Sequence, residues 1–219
     1  MVPILCIVGA SNVGKTTFLE KLIPALVRRG YRVGTVKHDV HGFQMDREGK
    51  DTWRHAQAGA QTIAISSPVR VASIRSVPEE LPLEEVVSRY FWDEDIVLAE
   101  GFKRSSFPKI ELFRPEIEPR PLCSPSDNLI ALVSDAAVEM DVPRFAFSDV
   151  DGLTDFLQSR YLESRKRPRV LVQLDGKKLP MKDFVQDFIA GGVLGMVSQL
   201  RGWKRPRQLR VTITLGDEA

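Results

Sequence analysis

Short apolar runs of strand length alternate with stretches of helical spacing through most of the chain. Residues 3–8 form one continuous apolar run. A helical pattern then starts at Lys15 and continues to Val27, with Pro24 predicting a kink or a restarted first turn. Arg28-Arg29-Gly30 supplies the cations and the glycine of a helix C-terminus. Residues 31–36 read as a second strand and 61–66 as a third, and the alternation over 69–74 predicts a hairpin or edge strand. Residues 95–99 form an apolar strand delivering Glu100 at its end. Further strands are predicted at 107–113 and 129–133, and a short last one at 144–147. Helices are predicted from a cap at Asp51 or Thr52 to Gly59, over 81–91 with Pro82 in the first turn, and over 149–162. A strand, a helix and a second strand at this spacing imply a right-handed crossover and a parallel sheet.

The composition shifts at 164–169, a basic stretch that reads as a linker between a domain over 1–163 and a module over 170–219. In the module, 170–174 and 177–180 flank Asp175-Gly176, the favoured pair of a two-residue hairpin turn. Phe184, Phe188, Ile189, Leu194, Met196 and Leu200 mark an apolar helix, and 208–215 alternates like a closing strand, giving a small β-β-α-β unit with no evident catalytic constellation. Docking or oligomerisation suits it better than chemistry.

Bulk properties narrow the function classes. A net charge of +2 over 219 residues gives no general polyanion-binding character, so nucleic acid is not an expected partner. No apolar run approaches the length of a membrane span, and no basic leader precedes the first strand. The two cysteines, Cys6 and Cys123, make no disulfide framework, and Cys6 reads as a small buried hydrophobe in the first strand. The expected compartment is a reducing cytoplasm.

The chemistry concentrates in Gly9-Ala10-Ser11-Asn12-Val13-Gly14-Lys15-Thr16, a G-x-x-x-x-G-K-T phosphate-binding loop between a predicted strand and a predicted helix. Gly9 and Gly14 allow backbone angles that turn N–H groups inward around a phosphate, and the helix starting at Lys15 adds the positive end of its dipole. Lys15 would reach the β- and γ-phosphates, the Thr16 hydroxyl would ligate Mg²⁺, and Thr17 would reach the α-phosphate. Glu100, at the end of an apolar strand, is the carboxylate expected to hold Mg²⁺ through water or to orient an attacking water. Asp46 is a further metal candidate, with a solvated loop aspartate as the alternative. Asp135, after the 129–133 strand, is a candidate for accepting hydrogen bonds from guanine, although Asn-Lys-x-Asp is absent. His38 and His41 are three apart with no third ligand, so polar loop residues are the preferred reading over a transition-metal site. The fold class is α/β: a P-loop NTPase-type three-layer core with a mostly parallel sheet, plus the small C-terminal α+β module.

Several phrases in combination go further. Residues 9–17, Gly34-Thr35-Val36-Lys37-His38, Gly49-Lys50-Asp51-Thr52-Trp53-Arg54-His55, Gln57-Ala58-Gly59-Ala60, Glu100-Gly101-Phe102-Lys103 and Pro108-Lys109-Ile110-Glu111 resemble the molybdopterin-guanine dinucleotide biosynthesis adapter family over residues 1–160. The resemblance implies GTP binding with Mg²⁺, feeble GTP hydrolysis and a homodimer. It also implies partnership with the molybdenum cofactor guanylyltransferase that joins GMP to molybdopterin, and makes molybdopterin a candidate ligand. It carries over to Gly9, Gly14, Lys15, Thr16, Thr17 and Glu100, and with less support to Lys37, His38, Asp46 and Asp51. The chain is then at most a slow P-loop GTPase, because no arginine finger or water-positioning glutamine is evident. Two alternatives stay open: a P-loop small-molecule kinase, and a nucleotide-dependent scaffold without meaningful turnover.

Overall fold

The structure is a computed structural model that describes residues 2–39, 42–91, 93–163, 170, 172–174, 177–179, 181–204, 209 and 211. Its centre is a six-stranded, all-parallel sheet of β1 (Ile4–Val8), β2 (Val33–Lys37), β5 (Ile96–Glu100), β6 (Lys109–Leu112), β7 (Leu129–Val133) and β8 (Arg144–Phe145), ordered β2-β5-β1-β6-β7-β8. Every residue of β1, β6 and β7 is buried. Strands covered on both faces lose the apolar–polar alternation of a half-exposed sheet, and β1 and β7 accordingly read as continuous apolar runs, whereas β6 carries Lys109 and Glu111 between its apolar residues.

Helices cover both faces. On one, α1 (Lys15–Arg28) and α4 (Val150–Leu157) pack Phe18, Leu22, Leu26, Leu153 and Leu157 against Leu5, Ile7, Leu98 and Ile110. On the other, Leu83 and Val87 of α3 (Leu83–Tyr90) meet Ile4, Cys6, Val8, Val97 and Ala99. The expected three-layer α/β core is therefore present. Residues 158–162 continue α4 as a π-helical turn, so the predicted closing helix has its full extent.

Several local expectations are corrected. Pro24 does not restart α1, which runs continuously through it from Lys15 to Arg28 with the proline on the exposed side. The hairpin reading of 69–74 holds: β4 (Val71–Arg75) pairs antiparallel with β3 (Thr62–Ser66), and the two form a sheet separate from the main one. Only Ile63 of β3 is buried, and a strand that buries one side chain lacks the two-sided apolar content of an inner parallel strand. Helix α2 (Asp51–Gln57) has Lys50 at its N-cap rather than Asp51 or Thr52, with no side-chain cap, and the Thr52 hydroxyl donates to Asp46. Pro82 lies just before α3. In the C-terminal stretch, β9 (Gln173–Leu174) and β10 (Lys177–Lys178) form the expected hairpin and α5 (Asp183–Val197) the expected helix. The linker 164–169, the Asp175-Gly176 turn, most of the 208–215 strand and His41 lie outside the described residues. No helix among the described residues is long and apolar enough to cross a membrane.

Two charged side chains are built into the interior beside the sheet's central strands. Lys109 is 1% exposed, and its ammonium donates to the carbonyls of Ser105, Phe107 and Asp127, the last at 2.7 Å. Glu111, also 1% exposed, accepts the backbone N–H groups of Leu122 (2.6 Å) and Cys123 (2.9 Å). Burial pushes the Glu111 carboxyl above its ordinary range, against the pull of those two N–H groups. Both cysteines are free and buried. Burial raises the Cys6 thiol, and burial followed by the Glu111 charge pushes Cys123 up to about 11, so neither is a thiolate near neutrality.

Lys109→Met is expected to strand three buried carbonyls and to lower unfolding stability by about 3 kcal/mol. Urea denaturation followed by circular dichroism reads this directly, with a shifted midpoint at an unchanged slope.

Candidate phosphate-binding site

The loop between β1 and α1 is held in shape by close packing against the neighbouring strand. Gly9 has φ +143°, and a Cβ there would lie 2.4 Å from the Leu112 carbonyl oxygen at the end of β6. Gly14, at φ +99°, turns the chain into α1 without a side-chain cap. Asn12 also takes a left-handed conformation, φ +63°. The first N–H groups of a helix have no carbonyl of their own turn to bond. An uncapped α1 therefore presents them, with its dipole, to an anion.

Lys15 folds back over this loop. Its ammonium donates to the carbonyls of Gly9 (3.0 Å) and Ala10 (2.8 Å). Burial is the largest influence on it and lowers its pKa from 10.5; the Glu100 carboxylate opposes the shift, and the Lys37 ammonium adds to it. Next to Lys15 in sequence, the Thr16 hydroxyl donates to both carboxylate oxygens of Glu100, at 3.2 and 3.3 Å. Sheet register produces that contact: Glu100 pairs with Ile7 on one side and with Lys37 on the other. The Gly101 N–H to Ile7 carbonyl bond (2.9 Å) and the His38 N–H to Glu100 carbonyl bond (3.0 Å) close both edges. A hydroxyl and a carboxylate meeting at the mouth of the loop are the hard oxygen donors that Mg²⁺ takes, so the residues present fit that ion.

The other predicted residues divide. Thr17 lies at the rim of the same site, lining a cleft of about 290 Å³ with Asn12, Gly14, Lys21, Arg114 and Phe147. Ala10 contributes its carbonyl to Lys15, and Ser11 and Val13 complete the loop, with the Val13 carbonyl accepting from Arg114 Nε at 3.3 Å. Asp46 is bonded elsewhere. Its Oδ1 accepts from the Arg47 N–H (2.9 Å) and the Thr52 hydroxyl (3.0 Å), while Oδ2 is buried without a partner, so of the three metal candidates the contacts join Thr16 and Glu100. Asp135 Oδ1 accepts the Phe147 N–H at 3.0 Å. His38 stacks on Phe102 with ring centroids 4.6 Å apart and meets Glu80 at 2.8 Å. No group of three or more His, Cys, Asp or Glu side chains among the described residues is arranged to hold a metal ion.

Sequence reading missed Arg114 and Phe147. Their signal was positional only: each follows closely on a parallel strand, β6 and β8, at the sheet edge where ligands bind in open α/β folds.

Known proteins align with this framework. The family model described as Molybdopterin guanine dinucleotide synthesis protein B matches residues 4–135. The Molybdopterin-guanine dinucleotide biosynthesis adapter protein of Escherichia coli (strain K12) is 40% identical over 161 residues, covering 72% of this chain and 92% of that protein. The protein of the same name from Haemophilus influenzae is 35% identical over 159 residues, covering 72% and 89%. A crystal structure of molybdopterin-guanine biosynthesis protein B (mobB) is 33% identical, with a TM-score of 0.58, over 71% of this chain and 97% of that one. A family model that spans more than half of the chain, together with relatives covered over most of their length, establishes that the chain belongs to the MobB family.

Proposed function

We propose that the chain is a GTP-binding adapter in molybdopterin guanine dinucleotide biosynthesis, with slow Mg²⁺-dependent GTP hydrolysis and a role in assisting the guanylyltransferase. The observation that carries the nucleotide reading is the Thr16–Glu100 contact beside a half-buried Lys15. A hydroxyl, a carboxylate and an ammonium converge where a P-loop handles its terminal phosphates.

On this reading the Lys15 ammonium exchanges the Gly9 and Ala10 carbonyls for β- and γ-phosphate oxygens. A pair of neutral carbonyls is replaced by full negative charge in a partly buried setting, which strengthens every hydrogen bond involved. The Thr16 hydroxyl gives up its proton contact with Glu100 and turns a lone pair outward, leaving the Glu100 carboxylate to orient water. Mg²⁺, when bound, would neutralise phosphate charge between these two side chains. The Gly14–Thr17 turn and the α1 dipole hold the remaining phosphate oxygens.

Slow turnover belongs to the same proposal and rests on family membership. The guanylyltransferase and the homodimer rest on family membership. The same holds for the split at 164–169, because the bacterial relatives align with only 72% of the chain.

Calorimetric titration with GTP and Mg²⁺ tests the reading. Lys15→Ala is expected to weaken GTP binding by about two orders of magnitude through the loss of charge-assisted hydrogen bonds. Wild-type affinity in that variant would remove the phosphate site. Glu100→Gln is expected to retain binding but to lose most of the gain in affinity that Mg²⁺ brings, read by repeating the titration in EDTA. The pH dependence follows from Lys15: its free-state pKa lies below 10.5 and the ligand requires the ammonium. GTP affinity should therefore be flat near neutrality and fall on the alkaline side before pH 10.5 is reached, a slope that Lys15→Ala should abolish.

A further inference from the structure

The cleft beside the P-loop has an aromatic end that the phosphate chemistry does not use. Phe147 sits there edge-on to Phe18, with centroids 6.0 Å apart and rings at 90°. The Arg114 guanidinium lies 3.8 Å above the Phe147 ring centroid. The ring is thus fixed from two directions, by Phe18 in the core and by the Asp135 carboxylate on its backbone N–H. Its cover is fixed less well, since the bond that ties Arg114 to the loop is one 3.3 Å contact to the Val13 carbonyl.

We propose that this cleft is the nucleoside subsite, with Phe147 as the platform on which the purine base stacks and Arg114 as the cover that the base displaces. The proposal rests on the reading of the P-loop as a nucleotide site. The direction of the ligand follows from the lining. Lys15, Thr16 and Glu100 mark the terminal-phosphate end, whereas Thr17, Lys21, Arg114 and Phe147 mark the cleft. A nucleotide whose α-phosphate reaches Thr17 places its sugar at the mouth of the cleft that Arg114 and Phe147 also line. The sheet agrees: Glu100 ends β5 on one side of β1, while Arg114 and Phe147 follow β6 and β8 on the other.

The cover has the chemistry of a stand-in. A guanidinium is planar, weakly hydrated and stacks on aromatic faces as a base does. A base that takes its place gains the same face, and the freed Arg114 can meet the ligand's ribose or phosphate oxygens. Asp135 is then a positioning residue, acting on the base through Phe147.

The test is calorimetry on the full chain with two probes, GTP and inorganic tripolyphosphate, each with Mg²⁺. Phe147→Leu keeps an apolar side chain against Phe18 but removes the stacking face, and Phe147→Trp restores one. The Leu variant is expected to bind GTP about ten-fold or more weakly while holding tripolyphosphate within about two-fold of wild type, and the Trp variant to recover GTP affinity. Equal losses for both probes would mean a structural role only, and unchanged GTP affinity in the Leu variant would mean that the base lies elsewhere; either result overturns the proposal. A wild-type chain that binds GTP no more tightly than tripolyphosphate would overturn the subsite and leave the phosphate loop standing. Binding of neither probe would remove the loop's assignment, and the subsite with it.

Discussion

Between Ile7 of β1 and Lys37 of β2 the sheet leaves one position, and Glu100 of β5 fills it. The carboxylate is therefore delivered by register, not by a loop. Parallel pairing on both sides fixes the height of Glu100 along the sheet, and the height of β1 fixes where the loop to α1 begins. Thr16 in the first turn of that helix then has the carboxylate within hydrogen-bond reach. Shifting β5 by one residue would turn the side chain at this height to the other face of the sheet. The interior charges serve the same arrangement. Lys109 gathers the carbonyls of the 105–107 turn and of Asp127, and Glu111 gathers the N–H groups of the 122–123 turn, so the loops around β6 are fastened beside the strand that Gly9 packs against.

The close approach of Gly9 to Leu112 explains why a loop with so much left-handed backbone is stable. Gly9, Asn12 and Gly14 each adopt a conformation that costs energy for most residues, and packed surroundings must over-determine it. On one side the constraint is β6, whose carbonyl leaves no room for a Cβ at position 9. On the other it is Lys15, which spans the loop and bonds the carbonyls of its first two residues. The same ammonium that is read as the phosphate ligand thus shapes the loop beforehand. Its partners when it does so are neutral oxygens, which a phosphate can outcompete.

Much of this was legible in the sequence, and the limits of legibility have physical causes. Strands β1, β5 and β7 could be read because two-sided burial writes a continuous apolar run, and the phosphate loop because its glycines and its lysine have local reasons to be where they are. Glu100 could be read because a strand leads to it. Lys109 and Glu111 could not be read as buried, since their partners are backbone groups of turns far along the chain that carry no side-chain signature. The hairpin of β3 and β4 was visible as strands but not as a separate sheet. Its alternation implied one buried face, and only tertiary structure decides which surface that face covers.

Arg114 and Phe147 lie at the far edge of legibility, since neither belongs to a short motif. Each is defined by the strand it follows, and the two strands meet only through β7. The sheet order therefore does more than hold the site together. With β1 central, β5 on one side supplies the carboxylate that meets the α1 hydroxyl at the loop's mouth, and the segments after β6 and β8 on the other side supply a planar cation over an aromatic ring. A ligand that is charged at one end and aromatic at the other matches that division, and inorganic phosphate, which lacks an aromatic end, does not. The polarity of the site is thus a consequence of strand order, which no stretch of the sequence contains by itself.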